Sequence, residues 1–271
     1  MSEPFRHLKA VIFDWAGTTV DHGSRAPALV FREIFHRQGI EITLAQARGP
    51  MGLAKRDHIA ALLRLPDVRE AWLGQHGAEA TDADIDSLYA DFLPLQKETL
   101  VTHTEIIDGV VDSVAQCRQR GLSIGSSTGY THELVDVFAE QIAQQGYRPD
   151  CVLCSEDAPQ GRPAPWLIFN AAQQMGVFPM CHIVKVDDTT PGIEAGKNAG
   201  CWTVGITRTG NEVGLTAAEF AALSADEQNE RLTTAANKLK AAGADFILES
   251  VAELIPLLEE INDRLKNGER P

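Results

Sequence analysis

The sequence predicts an α/β protein with a Rossmann-like parallel sheet and an inserted helical cap domain, and three observations predict it. After residue 108, short apolar runs alternate with amphipathic helical stretches, which is typical of a parallel sheet covered by helices on both faces. Residues 22–102 have only helical periodicity. Ahead of both lies one apolar run, Val11–Phe13, which has no candidate strand partner before residue 122.

The domain boundaries follow from that order of elements. A core that starts with one strand and resumes after a helical block must be interrupted by that block. We therefore expect residues 1–21 and 103–271 to form the catalytic core and residues 22–102 to form the cap domain. In such a core the helices between strands make right-handed crossovers.

The predicted elements of the first part each have a stop signal. The first strand ends at Asp14, where polar and glycine-rich residues begin. The first helix has one apolar side and stops at Gly39, the second stops at Gly49-Pro50, and the third is closed by Pro66. The helices of this part are predicted at 27–38, 44–48, 54–64, 67–74 and 82–102.

In the second part, short apolar runs predict strands and longer stretches of helical periodicity predict helices. The strands are predicted at 122–126, 151–154, 182–186, 202–206 and 246–248. The helices are predicted at 110–120, 132–145, 165–175, 192–198, 216–242 and 251–265.

Composition and charge exclude several classes of protein. The chain has 271 residues, of which 44% are hydrophobic, as in ordinary globular proteins. A formal net charge of −14 without a basic cluster argues against a nucleic-acid partner. Met1–Lys9 lacks the apolar region of a signal peptide, and no apolar run is long enough to span a bilayer. We therefore expect a cytoplasmic protein with no membrane partner.

The five cysteines are an odd number scattered over a long chain, which favours reduced thiols over a disulfide framework. Cys151 and Cys154 form a C-x-x-C pair within a predicted strand, where residues three apart face opposite sides. We expect core cysteines here and no zinc site.

Reactive and ligand-binding side chains follow four of the predicted strands. Asp14 follows the first, Ser126–Gly129 the second and Asp187-Asp188 the fourth, while Arg162 lies shortly beyond the third. Each could be an ordinary turn or capping residue. Because the carboxyl ends of parallel strands open onto one crevice, together they could hold Mg²⁺, bind phosphoryl oxygens and balance the charge of those oxygens.

The order D-x-x-G-T, then Ser/Thr, then a basic residue, then an acidic pair resembles the haloacid dehalogenase superfamily over the whole chain, cap included. The resemblance implies that Asp14 is the nucleophile and a Mg²⁺ ligand, and that Asp188 is the second metal carboxylate. It also implies that Thr128 and Arg162 bind the phosphoryl group. Further expected contacts with substrate are Gly17, Gly129 and Met51.

Two positions depart from other members of that superfamily. Its phosphatases read D-x-D, and the second aspartate protonates the departing alkoxide; here that position is Ala16. Without an acid an alkoxide would be a poor leaving group, although the Ala16 carbonyl oxygen is still a suitable Mg²⁺ ligand. Gly192 stands where some relatives carry a further acid, and Asp187 is the candidate to compensate.

The cap contains a candidate replacement for the missing acid. Lys55 follows a glycine-rich bend at the start of a predicted helix, with His58 one turn on along the same face. A solvated surface lysine is the ordinary interpretation, and the spacing is wrong for a P-loop. Burial at a helix N-terminus would instead lower the pKa of the amine. A neutral amine condenses with an aldehyde to an imine, which can accept the electron pair of a breaking P–C bond.

The motifs M-G-x-x-K-x-x-H, G-S-x-T-G-Y and G-R-P-x-P-W resemble the phosphonate-cleaving members of the superfamily. They imply Mg²⁺-dependent hydrolysis of an aldehyde-bearing phosphonate through a Lys55 Schiff base and an Asp14 aspartyl phosphate, with His58 aiding the attacking water. Relatives of this type are homodimers, so we expect a homodimer. Two alternatives stay open: an ordinary Mg²⁺-dependent phosphatase or phosphomutase, and a non-catalytic binding protein in which Ala16 marks loss of the site.

Overall fold

The computed structural model, which describes residues 3–271, contains a six-stranded parallel sheet. The strands are β1 (Ala10–Phe13), β2 (Ser123–Ser127), β3 (Cys151–Leu153), β4 (Ile183–Asp187), β5 (Trp202–Ile206) and β6 (Phe246–Leu248). Their order across the sheet is β3-β2-β1-β4-β5-β6, so the first strand of the chain is central. The predicted Rossmann-like α/β fold is confirmed.

The register of the central strands brings their carboxyl ends to one edge. Phe13, the last residue of β1, is level with Ser126 of β2 and with Val186 of β4. The residues that follow these positions therefore leave the sheet side by side. This edge is where parallel sheets of this kind bind ligands.

Five helices lie between β1 and β2 in the chain. They are α1 (Arg25–Arg37), α2 (Leu44–Arg48), α3 (Lys55–Leu63), α4 (Pro66–His76) and α5 (Asp82–Leu100). Helix α1 packs against α2 and α5, and α3 packs against α4 and α5. Phe31 of α1 stacks on Phe92 of α5 with ring centroids 4.6 Å apart, so these two helices meet through buried aromatic side chains.

Helices cover both faces of the sheet. The later helices are α6 (Val110–Gln119), α7 (His132–Gln144), α8 (Trp166–Met175), α9 (Thr190–Ala199), α10 (Ala217–Ala221), α11 (Ala225–Ala241) and α12 (Leu254–Lys266). Because side chains alternate along a strand, Val11 and Phe13 join one apolar cluster with residues of α6, α7 and α12. Ala10 and Ile12 join another with residues of α8 and α9. Within residues 3–271, no helix has the length and hydropathy that crossing a membrane requires.

The helical region predicted at 216–242 is divided into two helices, α10 and α11. The break falls at Ser224, whose hydroxyl accepts the Glu227 N–H while the Glu227 carboxylate accepts the Ser224 N–H. This reciprocal arrangement is a capping box, which starts a new helix. Likewise α9 begins at Thr190 rather than at 192, since the Thr189 hydroxyl caps its first turn.

Candidate active site

A small cavity lies at the carboxyl edge of the sheet, beneath the start of helix α3. Its lining residues are Asp14, Ala16, Ser24, Pro27, Met51, Gly52, Lys55, Thr128, Gly129, Tyr130, Arg162 and Thr189. The loop after β2 comes close to the bend before α3, since a Cβ on Gly129 would lie 2.7 Å from the Leu53 carbonyl oxygen. A glycine at position 129 therefore allows the predicted phosphoryl-binding loop to meet the segment that carries Lys55.

Arg162 links two of the carboxylates at this edge. Its guanidinium donates to Asp14 Oδ1 at 2.7 Å and to the Ser127 carbonyl oxygen, and it lies 3.3 Å from Asp187 Oδ2. Burial opposes the charge of Arg162, but the carboxylates of Asp187 and Asp14 outweigh burial and raise its pKa. Burial raises the pKa of Asp14, which Arg162 offsets in part. A permanent cation thus lies beside the predicted nucleophile.

Asp187 is held by a residue of its own strand and by one in the turn that follows this strand. Its Oδ1 accepts the N–H and the hydroxyl of Thr189 at 3.0 and 2.7 Å, and its Oδ2 lies 2.8 Å from the buried Lys185 Nζ. Burial opposes ionisation of Asp187, but Arg162 and Lys185 overcome it and lower the pKa. A Cβ on Gly192 would lie 2.0 Å from the Asp187 Cγ, so this carboxylate fills the space where a side chain at 192 would begin.

Asp188 has hydrogen bonds but, within the part of the chain described, no ion pair. Its Oδ1 accepts the Thr18 hydroxyl at 2.9 Å, and its Oδ2 accepts the Asn211 N–H at 2.7 Å. Burial, with the charges of Asp14 and Asp187, raises its pKa well above the usual range. Gly17 lies against this carboxylate, since a Cβ there would be 2.2 Å from Asp188 Oδ2. A glycine at position 17 therefore leaves room for the Asp188 carboxylate. Gly17 is not among the residues that line the cavity.

These carboxylates fit a hard divalent cation. Single oxygens of Asp14, Asp187 and Asp188 lie within 4.8 Å of one another, and all three residues are buried. Arg162 and Lys185 pair with Asp14 and Asp187, which leaves Asp188 unbalanced. Burying such a charge is costly unless a cation compensates it. Carboxylate and carbonyl oxygens are the ligands that Mg²⁺ and Ca²⁺ prefer.

Lys55 is buried at the first turn of α3, with only 5% of its surface exposed. Its Nζ lies 4.7 Å from the centroid of the Tyr130 ring and 5.7 Å from that of Phe31. Burial lowers the pKa of this amine to about 7, with Asp14 opposing the shift and Arg162 adding to it. At neutral pH a large fraction of Lys55 is therefore uncharged and nucleophilic.

His58 is buried beside Lys55 but does not line the cavity. Its ring stacks on Phe31 with centroids 3.7 Å apart, and its Nε2 lies 2.9 Å from the Ala47 carbonyl oxygen. Burial, together with the charge of Lys55, lowers its pKa well below the usual value. The structure thus brings Asp14, Lys55 and Arg162 to one cavity, whereas His58 of α3 packs on Phe31.

The sequence pattern did not indicate a role for Tyr130 or Lys185. Tyr130 follows the predicted phosphoryl-binding loop directly, and among residues 3–271 its buried hydroxyl has no hydrogen-bond partner. Burial raises its pKa well above the usual value, so the hydroxyl keeps its proton. Lys185 could have been noticed as a lysine inside an otherwise apolar strand, which predicts a buried partner of opposite charge.

Comparison with known proteins agrees with the fold. A family model described as haloacid dehalogenase-like hydrolase matches residues 8–200. The chain belongs to the haloacid dehalogenase-like hydrolase family.

Within that family the chain is similar to proteins named phosphonoacetaldehyde hydrolase. It is 45% identical to the one from Paraburkholderia xenovorans strain LB400, over 98% of this chain and 100% of the relative. It is 42% identical to the one from Syntrophobacter fumaroxidans, over 97% and 95%. A solved structure of a phosphonoacetaldehyde hydrolase-like protein from Oleispira antarctica matches with a TM-score of 0.96 and 38% identity, over 100% of this chain and 98% of the other.

Proposed function

We propose that this enzyme hydrolyses phosphonoacetaldehyde to acetaldehyde and phosphate. The observation that carries the proposal is that Lys55, with a pKa lowered to about 7, lines the same cavity as Asp14 and Arg162. An amine in that state suits an aldehyde, and a carboxylate paired with a guanidinium suits a phosphonate. The name that the relatives carry supports the same substrate.

The first step is formation of a Schiff base. The neutral Lys55 amine attacks the aldehyde carbon, and loss of water with uptake of one proton from solvent gives a protonated imine. We propose that residues 22–102 form a cap over the sheet domain, so that closure of the cap excludes bulk water from this step. The aromatic faces of Tyr130 and Phe31 beside Nζ would accommodate the iminium cation.

The second step breaks the carbon–phosphorus bond. Asp14 Oδ1 accepts a hydrogen bond from Arg162, so we propose that the other carboxylate oxygen of Asp14, Oδ2, attacks phosphorus. The bond pair moves into the iminium to give an enamine and an aspartyl phosphate. Protonation of the enamine carbon and hydrolysis of the resulting imine release acetaldehyde and free Lys55.

The third step is hydrolysis of the aspartyl phosphate by water. Sequence reasoning predicted that His58 would aid this water, but His58 is not among the cavity residues, and we assign it no contact there. Thr128, Gly129 and Arg162 are the proposed groups that position the phosphoryl oxygens. Bound Mg²⁺, for which Asp14, the Ala16 carbonyl and Asp188 are the proposed ligands, would neutralise charge on the phosphoryl group.

Release of phosphate and acetaldehyde from phosphonoacetaldehyde, with and without EDTA, tests the function. We expect equal amounts of both products with Mg²⁺ and almost none after chelation. If the enzyme instead hydrolysed simple phosphate esters rapidly and Lys55→Ala retained that activity, it would be an ordinary phosphatase or phosphomutase of this fold. If it turned over neither substrate, the chain would be a binding protein.

The assembly and cellular location are also proposals. Trp166, the first residue of α8, is 43% exposed, and Phe178, three residues beyond the end of α8, is 85% exposed. Relatives of the type that this chain resembles are homodimers, so we propose a homodimer, with Phe178 as a candidate contact residue. All five cysteines are free thiols, which is consistent with the reducing cytoplasm.

A further inference from the structure

Arg48, the last residue of α2, connects three segments around the site although it is not among the cavity residues. Its guanidinium donates to the carbonyl oxygens of Gly23 at 2.7 Å and Ser24 at 3.3 Å, in the segment that leads from β1 into α1. It also donates to the Gly214 carbonyl oxygen at 3.0 Å and to Asn211 Oδ1 at 3.3 Å, in the loop after β5.

Asn211 joins Arg48 to the carboxylate of Asp188. Its side-chain Nδ2 donates to the Arg48 carbonyl oxygen at 3.2 Å, which closes a reciprocal pair of hydrogen bonds between the two residues. Its backbone N–H donates to Asp188 Oδ2 at 2.7 Å. Asn211 itself is buried. One residue therefore separates the guanidinium from a proposed metal ligand.

The same arginine also anchors the segment that leads to the reactive amine. The chain leaves Arg48 through a glycine-rich bend in which Met51 lines the cavity, and it enters α3 at Lys55. The loop after β5 is further tied to the first-strand loop, because the Thr209 hydroxyl donates to the Gly17 carbonyl oxygen at 2.8 Å. Arg48 thus contacts the loop whose Asn211 holds Asp188, and it also begins the segment that leads to Lys55.

We propose that Arg48 is a positioning residue that fixes the Asp188 carboxylate through Asn211 and so sets the metal affinity of the site. A planar guanidinium serves several carbonyl acceptors at once, which a lysine ammonium cannot do in the same geometry. Without it, the loop that presents the Asn211 N–H would lose the hydrogen bonds of the guanidinium and would be held less firmly. The inference rests on the metal site of the proposed function.

Calorimetric titration of the substrate-free protein with Mg²⁺ tests this role. We expect Arg48→Met, Arg48→Lys and Asn211→Ala each to weaken Mg²⁺ binding by about tenfold, the effect typical of losing a group that orients a metal ligand. The double variant Arg48→Met/Asn211→Ala should bind about as weakly as the worse single variant, because both act along one path. Arg37→Met is the matched control, since Arg37 is an exposed arginine that pairs with Glu33, and it should bind Mg²⁺ like wild type.

The outcomes separate this role from a purely structural one and from the proposed function. A structural role alone would lower the melting temperature of the variants but leave the Mg²⁺ affinity of the folded protein unchanged, which would overturn the proposal. Additive losses in the double variant would also overturn it. If Arg48→Met fails to fold, the Mg²⁺ affinities of Arg48→Lys and Asn211→Ala test the proposal. Wild-type protein that binds no Mg²⁺ would contradict the metal site itself, and this inference with it.

Discussion

The amine of Lys55 lies 4.7 Å from the centroid of the Tyr130 ring, in a cavity that also contains the Asp14 carboxylate. The aromatic face is a weak substitute for water around a cation, so burial dominates and lowers the pKa of the lysine to about 7. The same burial places the amine on the cavity that contains the proposed nucleophile. Reactivity and position therefore have one cause, the packing of the first turn of α3 onto the sheet edge.

The pH dependence of imine formation should follow the pKa of Lys55. We expect the rate of labelling by acetaldehyde and cyanoborohydride to increase about tenfold per pH unit below about pH 7 and to level off above it, because only the neutral amine reacts. Mass spectrometry of the labelled residue measures this rate. The Lys55→Ala variant gives the background from exposed lysines. A rate that kept rising toward about pH 10 would mean an ordinary, solvated lysine.

Burial of Lys55 should also make the enzyme less stable at low pH. The pKa is about 7 in the folded state and 10.5 as the ordinary value, so between these values the unfolded chain binds more protons and stability rises with pH. Below about pH 7 the full cost of charging the buried amine is present. Lys55→Met should therefore be more stable than wild type, by on the order of a few kcal/mol at about pH 6, and by less at about pH 9. Urea unfolding at both pH values measures the difference, and an identical gain at the two would contradict the lowered pKa.

Ala16→Asp tests why the site lacks a second acid. Ala16 lines the cavity with Asp14, so a carboxylic acid there could protonate a departing alkoxide. We expect hydrolysis of an alkyl phosphate to rise by about tenfold or more, while cleavage of phosphonoacetaldehyde falls. Ala16→Asn has a similar size without the acid and should gain nothing. Equal rates for the two variants on the alkyl phosphate would remove the general-acid explanation.

Phe178→Ser should weaken self-association if α8 and its flanks form the dimer contact. Removing an apolar side chain that is 85% exposed costs the monomer little but takes apolar area from an interface. Sedimentation velocity over a range of concentrations measures the shift toward monomer. Leu73→Ser, at a leucine that is 43% exposed on α4, is the control and should sediment like wild type. A wild-type chain that is monomeric throughout would contradict the homodimer.

The sheet and much of the candidate site could be predicted because their signals are local. Asp14 stands directly after an apolar run, and in a parallel sheet this places it at the ligand-binding edge. Asp188 likewise stands directly after a strand, Arg162 lies shortly beyond another, and the structure brings both to the same edge.

What could not be predicted depends on contacts between distant segments. The helical spacing predicted that His58 shares a face of α3 with Lys55. It could not show that the His58 ring packs on Phe31 instead of lining the cavity. The space at Gly192 that Asp187 fills depends on how α9 packs onto β4. The hydrogen bonds of Arg48 join residues far apart in the chain, and nothing in the local sequence indicates them.

The most direct test of the account is to locate the covalent adduct. The enzyme is incubated with phosphonoacetaldehyde, reduced with borohydride and digested for peptide mass spectrometry. We expect a reduced two-carbon adduct on Lys55, together with loss of activity, and we expect Lys55→Ala to lose carbon–phosphorus cleavage by on the order of 10³-fold or more, as when a catalytic nucleophile is removed. An enzyme that cleaves phosphonoacetaldehyde but has no adduct on Lys55 after reduction would contradict the central claim.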